Sequence, residues 1–189
     1  MRYKYETRGI ILARTPSGEA NAFVTLITPE LGLVHGRAQG VRRSGAKLAS
    51  ALTTFAESSC VLVRGKEDWR IVGAILDVNW FSQFETVSAR LTAIRVSGLL
   101  LRLVVGEVHD PELFSIIAGF FEALPKLSDA LHKTAEVLAV LRILAVLGFD
   151  TGEIPGKVSE FTPSILMEIN TVRTDYVTRV NYGISVSGL

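Results

Sequence analysis

LVHGRAQGVRRSGAKLASAL, residues 33–52, joins a predicted third strand to a short run of helical character. Ser44 is placed to cap a helix, and the alanine- and leucine-bearing run to Leu52 favours one or two helical turns. Four other strand-like runs surround this stretch: YKYETRGIILA and NAFVTLITPE precede it, and FAESSCVLVRG and DWRIVGAILDV follow it. Five strands with a short helix between the third and the fourth are the order typical of an OB-fold barrel, although several other small barrels share this count.

Beyond Trp80 the hydrophobic period changes from that of a strand to that of a helix. The candidate helices are FETVSARLTAIRVSGLLLRLVVGE, HDPELFSIIAGFFEALP and KLSDALHKTAEVLAVLRILAVLGF, and a last helix is predicted for residues 162–182. The sequence therefore predicts an α+β chain. We expect a five-stranded OB-fold β-barrel in residues 1–80 and an all-α helical bundle in residues 81–189.

Composition and charge limit the class of protein. Of the 189 residues, 48% are hydrophobic and 21% are charged, which indicates a folded core rather than disorder. Residues 1–80 contain 11 Lys and Arg against 7 acidic residues, and residues 81–189 contain 9 against 12, so a basic barrel precedes a mildly acidic helical part. The chain begins with no apolar targeting run, and Arg102 and Arg142 interrupt its most apolar stretches. We therefore expect a soluble, cytoplasmic protein with no membrane partner.

The sequence offers little for catalysis or metal binding. The single cysteine, Cys60, excludes an internal disulfide and a four-cysteine zinc site, and we expect it to pack in the core. His35, His109 and His132 lack ligand spacing such as H-E-x-x-H, and no nucleophile elbow or carboxylate cluster is apparent. We expect a protein that is not an enzyme and that uses neither a cofactor nor a small-molecule substrate.

The basic stretch admits three interpretations. A phosphate-binding P-loop is excluded, because Ala46 precedes Lys47 and Leu48 stands where the magnesium-binding hydroxyl belongs. A nucleic-acid surface needs cations along one groove and aromatic faces for base stacking, whereas a solvated loop needs neither. The charge pattern leaves these two open. The candidate cations are Arg37, Arg42, Arg43 and Lys47, with Arg14, Arg64, Lys66 and Arg70 nearby if the barrel forms, and the candidate stacking residues, each of which could equally belong to the core, are Phe23, Phe55 and Trp69.

Residues 7–55, which include GIIL at 9–12 and GVRRS at 40–44, resemble the N-terminal region of the RecO family of bacterial recombination mediators. Further along, LRILAVLGF resembles the hydrophobic helix of that family, which ends in Leu-Gly-aromatic. Gln39 departs from the family, which often has lysine there, and Thr54 stands where a proline often precedes the phenylalanine. DTGEIPGKVSE replaces the four-cysteine zinc motif that many members carry, so the chain resembles a short form of the family.

The resemblance implies a non-catalytic protein that anneals complementary strands and assists recombinase loading. Its expected partners are single- and double-stranded DNA, the acidic, aromatic-ended tail of single-stranded-DNA-binding protein, and RecR, and it would be associated with the nucleoid. The cations given above would form the DNA site. An apolar groove with an arginine would hold the tail, for which the candidates are Leu99, Arg102, Leu103 and Arg142. The alternative is a helical interaction adaptor whose barrel has little affinity for DNA.

Overall fold

The computed structural model of the chain describes residues 3–43, 45–65, 68–104, 106 and 109–189. They form two compact units. The first comprises Met1–Ser82 with Gly106–Pro111, and the second comprises Gln83–Val105 with Glu112–Leu189. No helix in the described part of the chain is long and apolar enough to cross a lipid bilayer.

The first unit is a closed five-stranded barrel with strand order β1-β2-β3-β5-β4, in which β4 also pairs with β1. β3 and β5 run parallel, and the other neighbouring strands are antiparallel. This OB-like topology followed by helices confirms the predicted α+β fold class. The strands are β1 (Lys4–Ser17), β2 (Asn21–Thr28), β3 (Gly32–Ala38), β4 (Ala56–Arg64) and β5 (Trp69–Asn79).

Buried and exposed residues alternate in parts of the strands, as in Val34–Ala38 of β3, whereas Gly9–Leu12 of β1 are buried in succession. The core includes Ile11, Val24, Leu26, Leu62 and Cys60. Burial, together with the negative charge of Asp77, raises the pKa of the Cys60 thiol to about 11. The thiol is therefore protonated at neutral pH, and the prediction that Cys60 packs in the core is confirmed.

The connection between β3 and β4 differs from the prediction. Ser44, the proposed cap, lies outside the described residues, and the described residues between 39 and 55 form successive turns and bends. Arg43 N–H donates to the Gly40 carbonyl and Ala46 N–H to the Arg43 carbonyl, both at 3.1 Å, as in four-residue β-turns. Gly40 and Gly45 have φ angles of +68° and +72°, which interrupt a right-handed helix. The connection therefore has no regular helix, although Leu52 N–H donates to the Leu48 carbonyl at 3.1 Å, as in a single helical turn.

The second unit is all α and is built around α4. Residues of α4 are buried along most of its length, because α2, α5 and α6 all pack against it. Its helices are α2 (Val87–Leu103), α3 (Pro111–Ala123), α4 (Asp129–Val146), α5 (Pro163–Thr171) and α6 (Arg173–Val186), with a 3₁₀ turn at Leu124–Lys126. The short helix α1 (Trp80–Gln83) spans the boundary, and three of its four residues belong to the first unit.

Two helix ends show how the chain sets these boundaries. After α4, Gly148 N–H donates to the Ala145 carbonyl and Phe149 N–H to the Leu144 carbonyl, which is the Schellman arrangement with glycine at a φ of +80°. The predicted continuous last helix is wrong, because Val172 has φ −121° and ψ 29° and separates α5 from α6.

Arg142 braces the loop that follows α4. Its side chain is 2% exposed, and its guanidinium donates to the carbonyls of Pro155 (2.8 Å), Val158 (3.1 Å) and Glu160 (2.7 Å). The guanidinium carbon also lies 4.7 Å from the centre of the Phe161 ring. Burial lowers the pKa of Arg142 to about 10, so the group stays charged at neutral pH. A single side chain therefore satisfies three carbonyls of a loop without regular structure.

Replacing Arg142 with methionine should destabilise the helical unit by about 3 kcal/mol, because the three carbonyls would lose their charge-assisted donors. Thermal unfolding followed by circular dichroism at 222 nm would measure the loss. Arg102→Met is the matched control: Arg102 lies exposed on α2, so the change should be within about 0.5 kcal/mol. Equal melting of the two variants would contradict the bracing role.

Candidate nucleic-acid interface

One row of residues crosses all five strands of the barrel. The register pairs Phe23 on β2 with Arg37 on β3, Arg37 with Arg70 on β5, Arg70 with Val63 on β4, and Val63 with Lys4 on β1. Neighbouring strands lie about 4.8 Å apart, so the path from Phe23 to Lys4, followed around the barrel surface, is roughly 19 Å long. We call these five residues the outer row. Because the barrel is closed, the row runs around most of its circumference: Phe23, Arg37 and Arg70 lie on neighbouring strands, Val63 is buried, and Lys4 lies at the far end.

The aromatic member of the outer row is accessible. Phe23 is 42% exposed, whereas the other two candidate stacking residues, Phe55 and Trp69, are 3% and 8% exposed. Directly opposite Phe23, Arg37 is exposed, and it has no hydrogen bond or ion pair among the described residues. An exposed ring beside a free guanidinium can stack a base and contact its phosphate at the same time.

Gln39 holds the neighbouring cation in place. Arg70 is half-buried, and its Nη2 donates to Gln39 Oε1 at 3.1 Å. The lysine that the family often has at position 39 could not accept this hydrogen bond, and it would bring a second positive charge close to Arg70. The glutamine therefore orients a cation where the family often adds one.

The β3–β4 connection is attached to the same end of β2 and β3. Arg42 N–H donates to the Ala20 carbonyl (2.9 Å), and Gly40 N–H donates to Asn21 Oδ1 (3.0 Å). The Arg42 guanidinium itself donates to the Gly18 carbonyl at 2.7 Å. Because β2 begins at Asn21 and β3 ends at Ala38, the connection lies next to the Phe23–Arg37 end of the outer row.

The predicted cations divide into those that brace the protein and those that face solvent. Arg14 donates to the carbonyls of Ala49 (3.3 Å) and Val41 (3.5 Å), so it holds the β3–β4 connection to β1. The side chains of Arg43 and Lys47 are exposed and make no hydrogen bond or ion pair with the described residues. Arg64 is exposed at the end of β4, with its guanidinium carbon 4.9 Å from the centre of the Trp69 ring. Lys66 lies outside the described residues.

The described carboxylates do not neutralise the positive charge of this surface. In the described part of the barrel, Glu57 pairs with Arg8 at 3.2 Å and accepts a bond from Trp80 Nε1 at 2.8 Å. None of Lys4, Arg37, Arg42, Arg43, Lys47 or Arg70 forms an ion pair within the described ranges. The uncompensated charge favours an anionic polymer such as DNA or RNA.

Sequence analysis missed two members of this surface. The alternation of Tyr3 and Tyr5 with Lys4 and Glu6 was visible, but only the pairing of β1 with β4 places Lys4 in the outer row. Gln39 was noted as a departure from a family pattern, but only its contact with Arg70 shows what it does. Neither partner strand can be identified from local periodicity.

The helical unit contains a cleft between α2, α4 and α6. Its volume is about 470 Å³, and its apolar walls include Leu99 of α2, Val137 and Val140 of α4, and Val177 of α6. Three cations, Arg95, Lys133 and Arg173, line it together with Glu136. Of these, Arg95 binds Glu136 at 2.6 Å, and this hydrogen bond raises the pKa of Arg95. The Nε atom of Arg173 is buried and has no hydrogen-bond partner among the described residues.

The four predicted partner-binding residues therefore do not share one site. Leu99 lines the cleft, whereas Arg102 and Leu103 lie on α2 outside it. Arg142 is buried under the loop after α4, where all of its described hydrogen bonds go to backbone carbonyls. Its guanidinium is therefore occupied by the loop.

The histidines have structural surroundings where they are described. His132 is 1% exposed, and its ring nitrogens lie 2.9 Å from Ser88 Oγ and 3.2 Å from the Leu124 carbonyl. His35 bonds Thr25 across β2 and β3 at 3.0 Å. Among the residues that the structure describes, no three His, Cys, Asp or Glu side chains group together as metal ligands would.

Comparison with known proteins identifies relatives of the chain. Residues 1–74 match the family described as Recombination protein O N terminal. The DNA repair protein RecO of Dehalococcoides mccartyi (strain ATCC BAA-2266) is 29% identical over 128 residues, which are 68% of this chain and 51% of that protein. The RecO protein of Synechococcus sp. (strain JA-2-3B'a(2-13)) is 30% identical over 159 residues, 77% of this chain and 54% of that protein. This chain spans about half the length of the first of these relatives.

Phe23→Ala should weaken binding of a dT oligonucleotide about tenfold, because the stacking of one base would be lost. Binding of duplex DNA should change less than about twofold, since paired bases do not offer their faces to the ring. Fluorescence anisotropy with both ligands would measure the two affinities. Val72→Ala, at a residue 49% exposed on β5, is the matched control and should change neither. An equal loss for single strand and duplex would contradict a stacking role.

Proposed function

The chain belongs to the RecO family of DNA repair proteins, and from this premise we propose that it is a non-catalytic recombination mediator. In this proposal the barrel binds DNA and the helical unit binds a protein that coats single-stranded DNA. The observation that carries the proposal is the part of the outer row in which Arg37 and Arg70 lie on neighbouring strands beside the exposed ring of Phe23.

The proposed DNA path follows the outer row and continues onto the β3–β4 connection. Arg37, Arg43 and Lys47 supply cations that no described carboxylate neutralises. Gly40 and Gly45 leave space for a phosphate, since a Cβ atom at Gly45 would meet nothing within 4 Å and one at Gly40 only Arg43 Cδ at 3.9 Å. Arg14 and Arg42 are positioning residues in this proposal, because their guanidinium groups hold the connection against the barrel.

The proposed mechanism is electrostatic. Two complementary strands repel each other through their phosphates, and cations that bind both strands lower this repulsion and release counterions. Base stacking on Phe23 keeps one strand unpaired with its bases accessible, so that it can meet its complement. No step requires a bond to be made or broken, and a role in strand annealing and recombinase loading follows from binding alone.

We place the tail of single-stranded-DNA-binding protein in the cleft between α2, α4 and α6 rather than at Arg102 and Arg142. The support is chemical: valine walls suit an aromatic or aliphatic terminus, and Lys133 and Arg173 suit carboxylates. The unpartnered Nε of Arg173 gains a hydrogen bond if a carboxylate enters. Binding of RecR stays a prediction without an assigned surface.

A helical interaction adaptor is the second candidate function. It is favoured by the intramolecular bonds of Arg14, Arg42 and Arg70, which reduce the number of cations free to bind phosphate. In that case the cleft would bind its partner while the barrel had little affinity for DNA. The two functions differ in what the wild-type protein binds.

Replacing Arg37 and Arg43 together with alanine should reduce the dependence of single-strand affinity on salt. Each phosphate contact contributes about 0.7 to the slope of log K against log [salt], so the slope should fall by about 1.4. Fluorescence anisotropy between 50 and 200 mM salt would measure it. Lys126→Ala with Lys157→Ala, at two exposed cations of the helical unit, is the control and should leave the slope unchanged. A wild-type slope near zero would exclude the DNA-binding function.

Val177→Glu should abolish binding of a peptide with the sequence of the cognate tail, because the new charge lies on the cleft wall. Single-strand affinity should stay within about twofold of wild type. Arg102→Ala tests the sequence-based location and should leave tail binding intact. Tail binding by the wild type without any DNA binding would favour the adaptor function, and loss of tail binding in Arg102→Ala alone would contradict the cleft assignment.

A further inference from the structure

α2 carries a second apolar stripe that none of the proposals above uses. Val87, Leu91 and Ile94 are 69%, 48% and 50% exposed, and Gly98 and Leu101 continue the series. The intervals are four, three, four and three residues, which is the spacing of the contact positions of a coiled coil. The stripe therefore runs nearly parallel to the axis of α2, so that a second helix can pack along it for nearly four turns.

The stripe lies away from the face with which α2 packs on its own unit. The buried residues of α2 include Ala89, Ala93, Val96 and Leu100, and α4 is the helix that α2 contacts most extensively. With 100° of rotation per residue, the centres of the buried face and of the stripe lie about 150° apart. α2 thus presents one apolar face to the core and another to solvent.

Charge indicates what kind of helix fits the stripe. α2 contains Arg90, Arg95 and Arg102 and no Asp or Glu. Around the helix, Arg90 borders one side of the stripe, and Arg95 and Arg102 border the other. These are the flanking positions whose charges select the partner in a coiled coil. Two copies of α2 would set arginines against arginines, so the charges disfavour self-pairing and favour an acidic partner.

We propose that the α2 stripe binds an acidic amphipathic helix of a partner protein. Apolar side chains of that helix pack on Val87, Leu91 and Ile94, and glutamate or aspartate on its flanks pairs with Arg102 and Arg90. Arg102 contributes most, because it is exposed and has no hydrogen bond or ion pair among the described residues. Arg95 already binds Glu136, and Arg90 Nε donates to the Phe84 carbonyl at 2.7 Å, so these two arginines supply the weaker contacts. Gly98 allows the partner backbone to approach closely, since a Cβ atom there would meet nothing within 4 Å.

The test uses the full chain and two designed peptides of four heptads. Both have leucine at the contact positions; one has glutamate at the flanking positions and the other has lysine. Fluorescence anisotropy should show that the glutamate peptide binds at least tenfold more tightly than the lysine peptide. Leu91→Asn with Ile94→Asn should weaken the glutamate peptide at least tenfold, whereas Met167→Asn, at a residue 60% exposed on α5, should not.

Charge reversal at Arg102 gives the sharpest result. Arg102→Glu should weaken the glutamate peptide and strengthen the lysine peptide, with unchanged helical content by circular dichroism. Equal binding of the two peptides, no binding of the glutamate peptide, or no effect of Arg102→Glu would overturn the proposal. Sedimentation that shows a wild-type dimer, made monomeric by the Leu91/Ile94 variant, would assign the stripe to a second copy and also overturn it.

Discussion

Three residue pairs between the parallel strands β3 and β5 close the barrel, and the candidate DNA surface depends on them. The pairs are Gly36 with Trp69, Arg37 with Arg70, and Ala38 with Ile71. The middle pair puts two arginines side by side on the outer face, while its neighbours on either side are buried. The closure needs glycine at position 36, because a Cβ atom there would lie 2.9 Å from Ile71 Cγ1. One short ladder thus fixes both the fold and the distance between two cations.

Arginine side chains have two different roles in the barrel unit. Arg37 and Arg43 face solvent without a partner in the described chain, whereas Arg14 and Arg42 donate to backbone carbonyls of the barrel and its connection. Arg14 and Arg42 are valuable because the connection has no regular helix, in which every carbonyl would find a backbone donor. In the helical unit Arg142 does the same for the loop after α4. By holding the β3–β4 connection in place, Arg14 and Arg42 also fix the positions of the cations that this connection carries.

Much of the fold could be predicted from the sequence, because strands and helices have distinct hydrophobic periods. The five strands and the helical second half follow from local patterns, and the concentration of charge around Arg42 is plain in the sequence. The turns between β3 and β4 were missed, since helix propensity does not include the positive φ of Gly40 and Gly45. The break at Val172 was missed as well, because α5 and α6 are set by packing against α4.

The site was less predictable than the fold. Local periodicity tells which face of a strand a residue occupies, but the partner strand and its register come from contacts distant in sequence. Lys4 joins Arg70 through two strand pairings, and neither is visible in the residues around Lys4. Whether an arginine binds a ligand or a carbonyl is decided by the same distant contacts, which is why Arg142 was assigned to a partner site.

Photo-crosslinking can show whether a polynucleotide crosses the barrel along the outer row. The experiment uses the full chain, an oligonucleotide carrying 5-iodouracil, and identification of the linked residues by mass spectrometry. We expect a principal crosslink at Phe23, because a base stacked on the ring would be within bonding distance. Crosslinks confined to residues 112–189, with none in the barrel, would contradict it.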